Sequence, residues 1–77
     1  MQKISVFAQY VHGDSFYKNE YCTGNTTILE IIQRCNLSTT GASVYINGTR
    51  LNKKQWEKTI SELKVPQSAF LSLRYGE

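Results

Sequence analysis

Apolar residues alternate with polar ones at the start of this chain, recur at helical spacing in its middle and alternate again towards its end. In QKISVFAQYV, residues 2–11, Ile4, Val6, Ala8 and Tyr10 interleave with Ser5, Phe7 and Gln9, the period-two pattern of a strand with one buried face. Phe7 falls on the other, exposed face. His12-Gly13-Asp14-Ser15 is a polar break, and FYKNEYCT over 16–23 reads as a second strand. A turn centred on Gly13 and Asp14 would set Tyr10 opposite Tyr17, Val6 opposite Tyr21 and Ile4 opposite Thr23, with Cys22 opposite Ser5. A slipped register would put Lys18 and Glu20 beside Ile4, Val6 and Ala8 and bury charge, so the first pairing is expected.

GNTTILEIIQRCNL changes the period. Thr27 with Glu30 three residues later forms a capping box, and Ile28, Ile31, Ile32 and Cys35 follow i, i+3, i+4, i+7 spacing, one apolar stripe of a short helix. A helix this short needs a sheet to lie on. After a polar connection over 36–41, ASVYI at 42–46 is rich in β-branched and aromatic residues. Asn47-Gly48 then signals a hairpin turn into a short strand over 49–51. Asn52 opens KKQWEKTISELKV, where Trp56, Ile60 and Leu63 recur at helical spacing and predict a helical turn covering one end of the sheet, ended by Pro66. Finally Ala69, Leu71 and Leu73 alternate with Phe70, Ser72 and Arg74 in a last strand. The whole chain, 1–77, reads as one α+β domain: a mixed sheet of four or five strands crossed by one helix.

Composition narrows the function classes. Seventy-seven residues leave little room for a deep substrate pocket, since a domain near this size buries only about 60% of its unfolded surface. The hydrophobic fraction of 40% argues against a disordered chain. No apolar run approaches the roughly 20 residues that span a bilayer, and residues 1–10 lack the apolar core of a signal peptide, so a cytoplasmic protein without membrane contact is expected. Cys22 and Cys35 are too few for a disulfide scaffold or zinc site and are expected as reduced thiols, Cys35 as core packing. Three N-x-S/T sequences begin at Asn25, Asn36 and Asn47; without a secretion signal they read as composition, not glycosylation. Nine basic and six acidic side chains give a net charge of +3, a mild attraction to acidic partners. Arg50, Lys53, Lys54 and Lys58 form the one basic cluster. A solvated face comes first for it, an acidic protein second and nucleic acid third, because only Trp56 could stack among these charges.

The order of elements, with VYINGTRL at 44–51, TISEL at 59–63 and AFLSLRYGE at 69–77, resembles the ubiquitin-like β-grasp superfamily over nearly the whole chain. INGTRLNKKQWEKT at 46–59 is also similar to the thiamine-pathway sulfur carriers, which share the fold and carry a Trp in this region. The resemblance implies action through other proteins at two places. One is a sheet face near the third and fifth strands, where the matching positions are Tyr45, Thr49 and Ser72, with Phe7 as a substitute anchor. The other is the end of the last strand. Ubiquitin and the sulfur carriers present a Gly-Gly carboxylate for adenylation by an ATP-dependent enzyme; here the sequence is Arg74-Tyr75-Gly76-Glu77, one glycine followed by Glu77. A peptidase removing Glu77 would expose Gly76 to an activating enzyme.

No catalytic constellation is visible. The only histidine, His12, is at the hairpin tip, and in the expected register it stands on the order of 23 Å from Cys22. The carboxylates are scattered and no phosphate-cradling glycine loop occurs. The expectation is therefore a monomeric, non-enzymatic, ubiquitin-like protein without cofactor or metal. It would act as a modifier activated at Gly76 or, alternatively, as a stand-alone binding module such as an adaptor or phage or host inhibitor, with the sulfur-carrier role behind both.

Overall fold

The computed structural model describes residues 2–11 and 13–76. Strands β1 (Gln2–Gln9), β2 (Ser15–Cys22), β3 (Ala42–Ile46), β4 (Thr49–Leu51) and β5 (Ser68–Tyr75) form one sheet in the order β2-β1-β5-β3-β4. β1 and β5 run parallel at its centre, and every other neighbouring pair is antiparallel. Helices α1 (Ile28–Arg34) and α2 (Lys53–Trp56) lie between the strands in sequence.

The alternation in β1 and β5 does what it predicts: Ile4, Val6, Ala8, Leu71 and Leu73 are wholly buried on one face of the sheet, together with Val44 from β3. The stripe Ile28, Ile31 and Ile32 from α1 is equally buried against them, and Cys35 closes it. Thr27 caps α1 through the expected reciprocal pair. Its hydroxyl accepts from the Glu30 amide at 3.1 Å and its own amide donates to Glu30 Oε1 at 3.3 Å. Glu30 in the first turn and Arg34 in the last suit the helix dipole.

Two more reciprocal caps follow. Asn52 and Gln55 close α2, and Thr59 and Glu62 exchange amide-to-side-chain bonds at 3.0 Å each way. The segment after α2 is clipped to the entry of α1 by backbone bonds from Ile28 N–H to Lys58 O (3.3 Å), Ile60 N–H to Thr26 O (2.9 Å) and Ser61 N–H to Gly24 O (3.0 Å). Ile60 drives this segment into the core and is fully buried. Asn47 and Gly48 take positive φ values of 48° and 85°, the left-handed pair that a two-residue hairpin between twisted strands requires.

One expectation is overturned. β2 pairs with β1 so that Ile4 faces Glu20, Val6 faces Lys18, Ala8 faces Phe16 and Gln2 faces Cys22, three residues away from the expected register. An odd shift exchanges the faces of the strand. Tyr17 and Tyr21 therefore point away from the core, each 59% exposed, and Tyr10 lies beyond the end of β1. The charge beside the core is covered only in part: the Glu20 side chain is 14% exposed and is paired. β2 is the edge strand, Lys18 keeps half of its side chain in water, and it bridges Glu20 at 3.1 Å. The connection spans residues 10–14, where the sequence reading put the break at 12–15.

Candidate protein-binding site

α1 covers one face of the sheet and leaves the other open. The strand registers set the side chains of that open face in rows across the sheet. One row runs Tyr17 (β2), Phe7 (β1), Ser72 (β5), Tyr45 (β3), Arg50 (β4). The next contains Asn19, Ser5 and Phe70. Phe7 and Phe70 meet across β1 and β5 with ring centroids 6.2 Å apart and planes tilted by 36°, a geometry favoured by aromatic quadrupoles. Asn19 Oδ1 accepts from Ser5 Oγ at 2.9 Å and from Tyr17 Oη at 3.3 Å, fixing the polar corner beside them. Asn47 Oδ1 accepts from the Phe70 amide at 2.9 Å and so ties the β3–β4 hairpin to β5.

The charge on this face has one sign. By strand alternation Lys3, Arg50 and Arg74 share it, all three exposed, and no Asp or Glu of the described strands does. Glu20 belongs to the helix side of β2, Glu30 to α1, and Asp14, Glu57 and Glu62 to connections. Phe7, Tyr45 and Ser72 are half-buried among their neighbours, while Tyr17 and Phe70 stand further out.

The sequence-predicted residues are distributed differently from expectation. Phe7, Tyr45 and Ser72 come together in a single row. Thr49 does not join them: it pairs with Ile46, whose neighbour on β5 is the core residue Leu71, so it lies on the helix side of the sheet. Arg50 takes the place in the row that Thr49 was expected to hold. The four basic residues Arg50, Lys53, Lys54 and Lys58 are all exposed. Arg50 and Lys53 line an open groove of about 570 Å³ with Trp56 and the 39–43 segment, and Lys54 and Lys58 are not part of its lining. Within α2, the Trp56 Nε1 atom is shut off from solvent with no hydrogen-bond partner. Tyr17 and Phe70 were missed as members of the face. The alternation of β5 alone placed Phe70 there, whereas Tyr17 depended on the register.

The end of β5 is held in place. Tyr75 pairs with Ala42 on β3, stacks on Tyr10 with centroids 4.6 Å apart, and donates its hydroxyl to Ser38 O. Burial, with a smaller contribution from Tyr10, pushes its phenol above the ordinary tyrosine range. Gly76 donates its amide to Gly41 O at 3.3 Å, and its φ of 85° is one that a side chain would disfavour. A Cβ there would also press on Val11 Cγ2. Glu77 and His12 lie outside the described residues, as do the expectations built on them.

Cys22 and Cys35 are both free and buried. Burial raises each thiol above its usual range, and Glu20 adds to the effect at Cys35, whose Sγ lies 3.8 Å from Glu20 Oε1. Such thiols are poor nucleophiles. Among the described residues no group of three His, Cys, Asp or Glu side chains could hold a metal ion. No helix is long and apolar enough to cross a membrane.

No protein-family model matches the chain, and no curated protein matches it. Among solved structures it is similar to a ubiquitin-like protein from the hyperthermophilic archaeon Caldiarchaeum subterraneum, with a TM-score of 0.59 at 15% identity over 99% of this chain and 97% of that one. It is also similar to a ubiquitin-like protein from Trypanosoma brucei, with a TM-score of 0.54 at 17% identity over 99% and 98% of the two chains. At these identities the likeness carries the fold and nothing finer: the chain has the ubiquitin-like β-grasp fold.

Proposed function

We propose that this protein is a non-enzymatic ubiquitin-like binding module that engages an acidic surface of another protein through the open face of its sheet. The observation that carries the reading is the row Tyr17, Phe7, Ser72, Tyr45, Arg50, aromatic in its body and bordered by cations with no carboxylate among them. Aromatic and arginine side chains are the residues on which binding energy concentrates, and a face of one charge sign steers a partner of the other. The half-buried rings of Phe7 and Tyr45 are already held by their neighbours, so little side-chain freedom is lost on docking.

The same fold supports a second reading, a modifier activated at Gly76 by a dedicated enzyme after a peptidase removes Glu77. The hold on β5 weighs against it. To present Gly76 in an active-site channel, the chain would have to give up the Gly41 hydrogen bond, the Tyr10 stack and the Ser38 hydrogen bond together. The sulfur-carrier role meets the same obstacle.

Affinity purification from the native host followed by calorimetry on the identified partner separates these readings. Phe7→Ala, Tyr45→Ala and Arg50→Glu should each weaken binding at least about tenfold, equivalent to about 1.4 kcal/mol. Thr49→Ala, on the other side of the sheet, should change it less than twofold. Equal affinity for all four variants would remove the open face from consideration. Mass spectrometry of the same material showing adducts through Gly76 would instead favour the modifier.

A further inference from the structure

The two edges of the sheet are protected unequally. β4, at one edge, is three residues long and offers little backbone to a stranger. β2, at the other, runs for eight residues without proline or glycine, and among the described residues no strand pairs with its outer side. Natural sheets guard such edges by shortness, proline, bulges or unbalanced charge. Here the single Lys18 is balanced by Glu20 on the same face, so the edge carries no net charge along residues 15–22.

We propose that this edge is a self-association surface, at which two copies of the chain pair their β2 strands antiparallel with Asn19 on the two-fold axis. The register follows from symmetry and charge. A two-fold axis perpendicular to the sheet keeps each face continuous, so a residue must meet itself at the centre. Centred on Lys18, two ammonium groups face each other; centred on Glu20, two carboxylates do. Centred on Asn19, Lys18 of each copy faces Glu20 of the other, Tyr17 faces Tyr21, and Phe16 faces Cys22. That arrangement keeps residues 16–22 paired and every cross-strand pair compatible.

The strand offers Tyr17, Tyr21 and half of the Lys18 side chain to solvent, with Glu20 14% exposed beside them. Tyr17 and Tyr21 are each 59% exposed on the open face, Tyr17 with its hydroxyl on Asn19 Oδ1. Lys18 and Glu20 now bridge within one strand, where residues two apart are separated by about 6.6 Å along the backbone. Directly opposite residues on paired strands are closer, about 4.5–5.5 Å, so the exchange of partners shortens the reach of both side chains. The product would be a ten-stranded sheet with both α1 helices on one side and the two open faces joined on the other. This edge shares Tyr17 with the row around Phe7 and Tyr45, but the residues altered to test each surface differ, so the two readings are tested separately.

Sedimentation velocity on the full chain, up to about 1 mM because strand-edge pairing is weak, should show the 8.8 kDa mass doubling with concentration. Lys18→Glu and Glu20→Lys each set like charges opposite one another twice, and each variant alone should sediment as a monomer. Their equimolar mixture should recover association, because every pair is again of opposite sign. A second test does not alter the charges. Asn19→Cys should cross-link through its own position on mild oxidation, since opposed residues on paired strands lie within disulfide range. A monomer across the whole concentration range would overturn the proposal. So would single charge variants that associate as well as the unaltered chain, or failure of Asn19→Cys to cross-link.

Discussion

Ile60 lies in no helix or strand, yet it is one of the most deeply buried side chains and the point at which the segment after α2 enters the core. Ile60→Ala removes three carbons from a fully buried site, worth about 2.4 kcal/mol at roughly 0.8 kcal/mol per methylene. Incomplete collapse of the resulting cavity raises the expected loss to about 2.5–4 kcal/mol. A chain of 77 residues has roughly 4–12 kcal/mol to lose, so the variant should be marginal but measurable. The single tryptophan, Trp56, packs against the core just before this segment and provides the signal. With a urea dependence near 1 kcal/mol per molar, the fluorescence midpoint should fall by about 2.5–4 M. Ile60→Val should cost only about 0.5–1.5 kcal/mol. Hydrogen exchange should accelerate at the amides of Ile28 and Ser61, which donate across the same junction. A loss below about 1 kcal/mol, or unchanged exchange at those amides, would show that the segment is held by its caps and not by the buried isoleucine.

Two further outcomes can be checked at the termini of other elements. The Glu62 carboxyl is held below the ordinary range, first by the Thr59 amide, then by the Thr59 hydroxyl. Its depressed value means that the cap's contribution is present at neutral pH and disappears as the pH falls through that value. An NMR titration should find Glu62 the more acidic of Glu62 and its Thr59→Ala counterpart. Tyr75→Phe removes the hydroxyl bond to Ser38 O and should cost about 0.5–1.5 kcal/mol, with amide shifts concentrated at residues 38–41. In the unaltered protein the raised phenol of Tyr75 stays neutral beyond the ordinary tyrosine range. Its share of stability is therefore full below the ordinary tyrosine range and is lost as alkaline pH rises from there through that raised value, and ultraviolet difference titration of the two proteins should show it.

Much of this architecture is written locally. The Thr27–Glu30 box, the Ile28, Ile31, Ile32 stripe and the Asn47-Gly48 turn each depend on residues within a few positions of one another, and each forms as its spacing predicts. The register of β2 does not depend on neighbours alone. The expectation treated the helix side of β2 as buried along its whole length, whereas Cys22 is buried, Phe16 and Glu20 are partly so, and Lys18 is exposed. Between them Lys18 reaches solvent, and Glu20 is satisfied by that lysine. Which strands lie at an edge is a property of the whole sheet, and so is the cost of a charge placed there. The same holds for the open face. Alternation alone placed Phe7 there and carried the signal that could have placed Phe70, but a row that unites Phe7, Ser72, Tyr45 and Arg50 requires four strands to be laid side by side. Thr49 was placed on the open face by resemblance alone, and its pairing with Ile46 puts it on the other side.

The parallel pairing of β1 with β5 has a consequence for how the chain is made. As it leaves the ribosome, β1 can zip to β2 at once, but its other flank stays bare until β5 has been synthesised, more than fifty residues later. The helix has an incomplete floor until then, and β3 and β4 can form no more than a hairpin beside it. Folding should therefore be late and all-or-none, on the millisecond or slower timescale typical of small domains rich in distant contacts. A stalled chain lacking β5 would expose the isoleucine-lined side of its sheet, the kind of surface on which chaperones and aggregation compete.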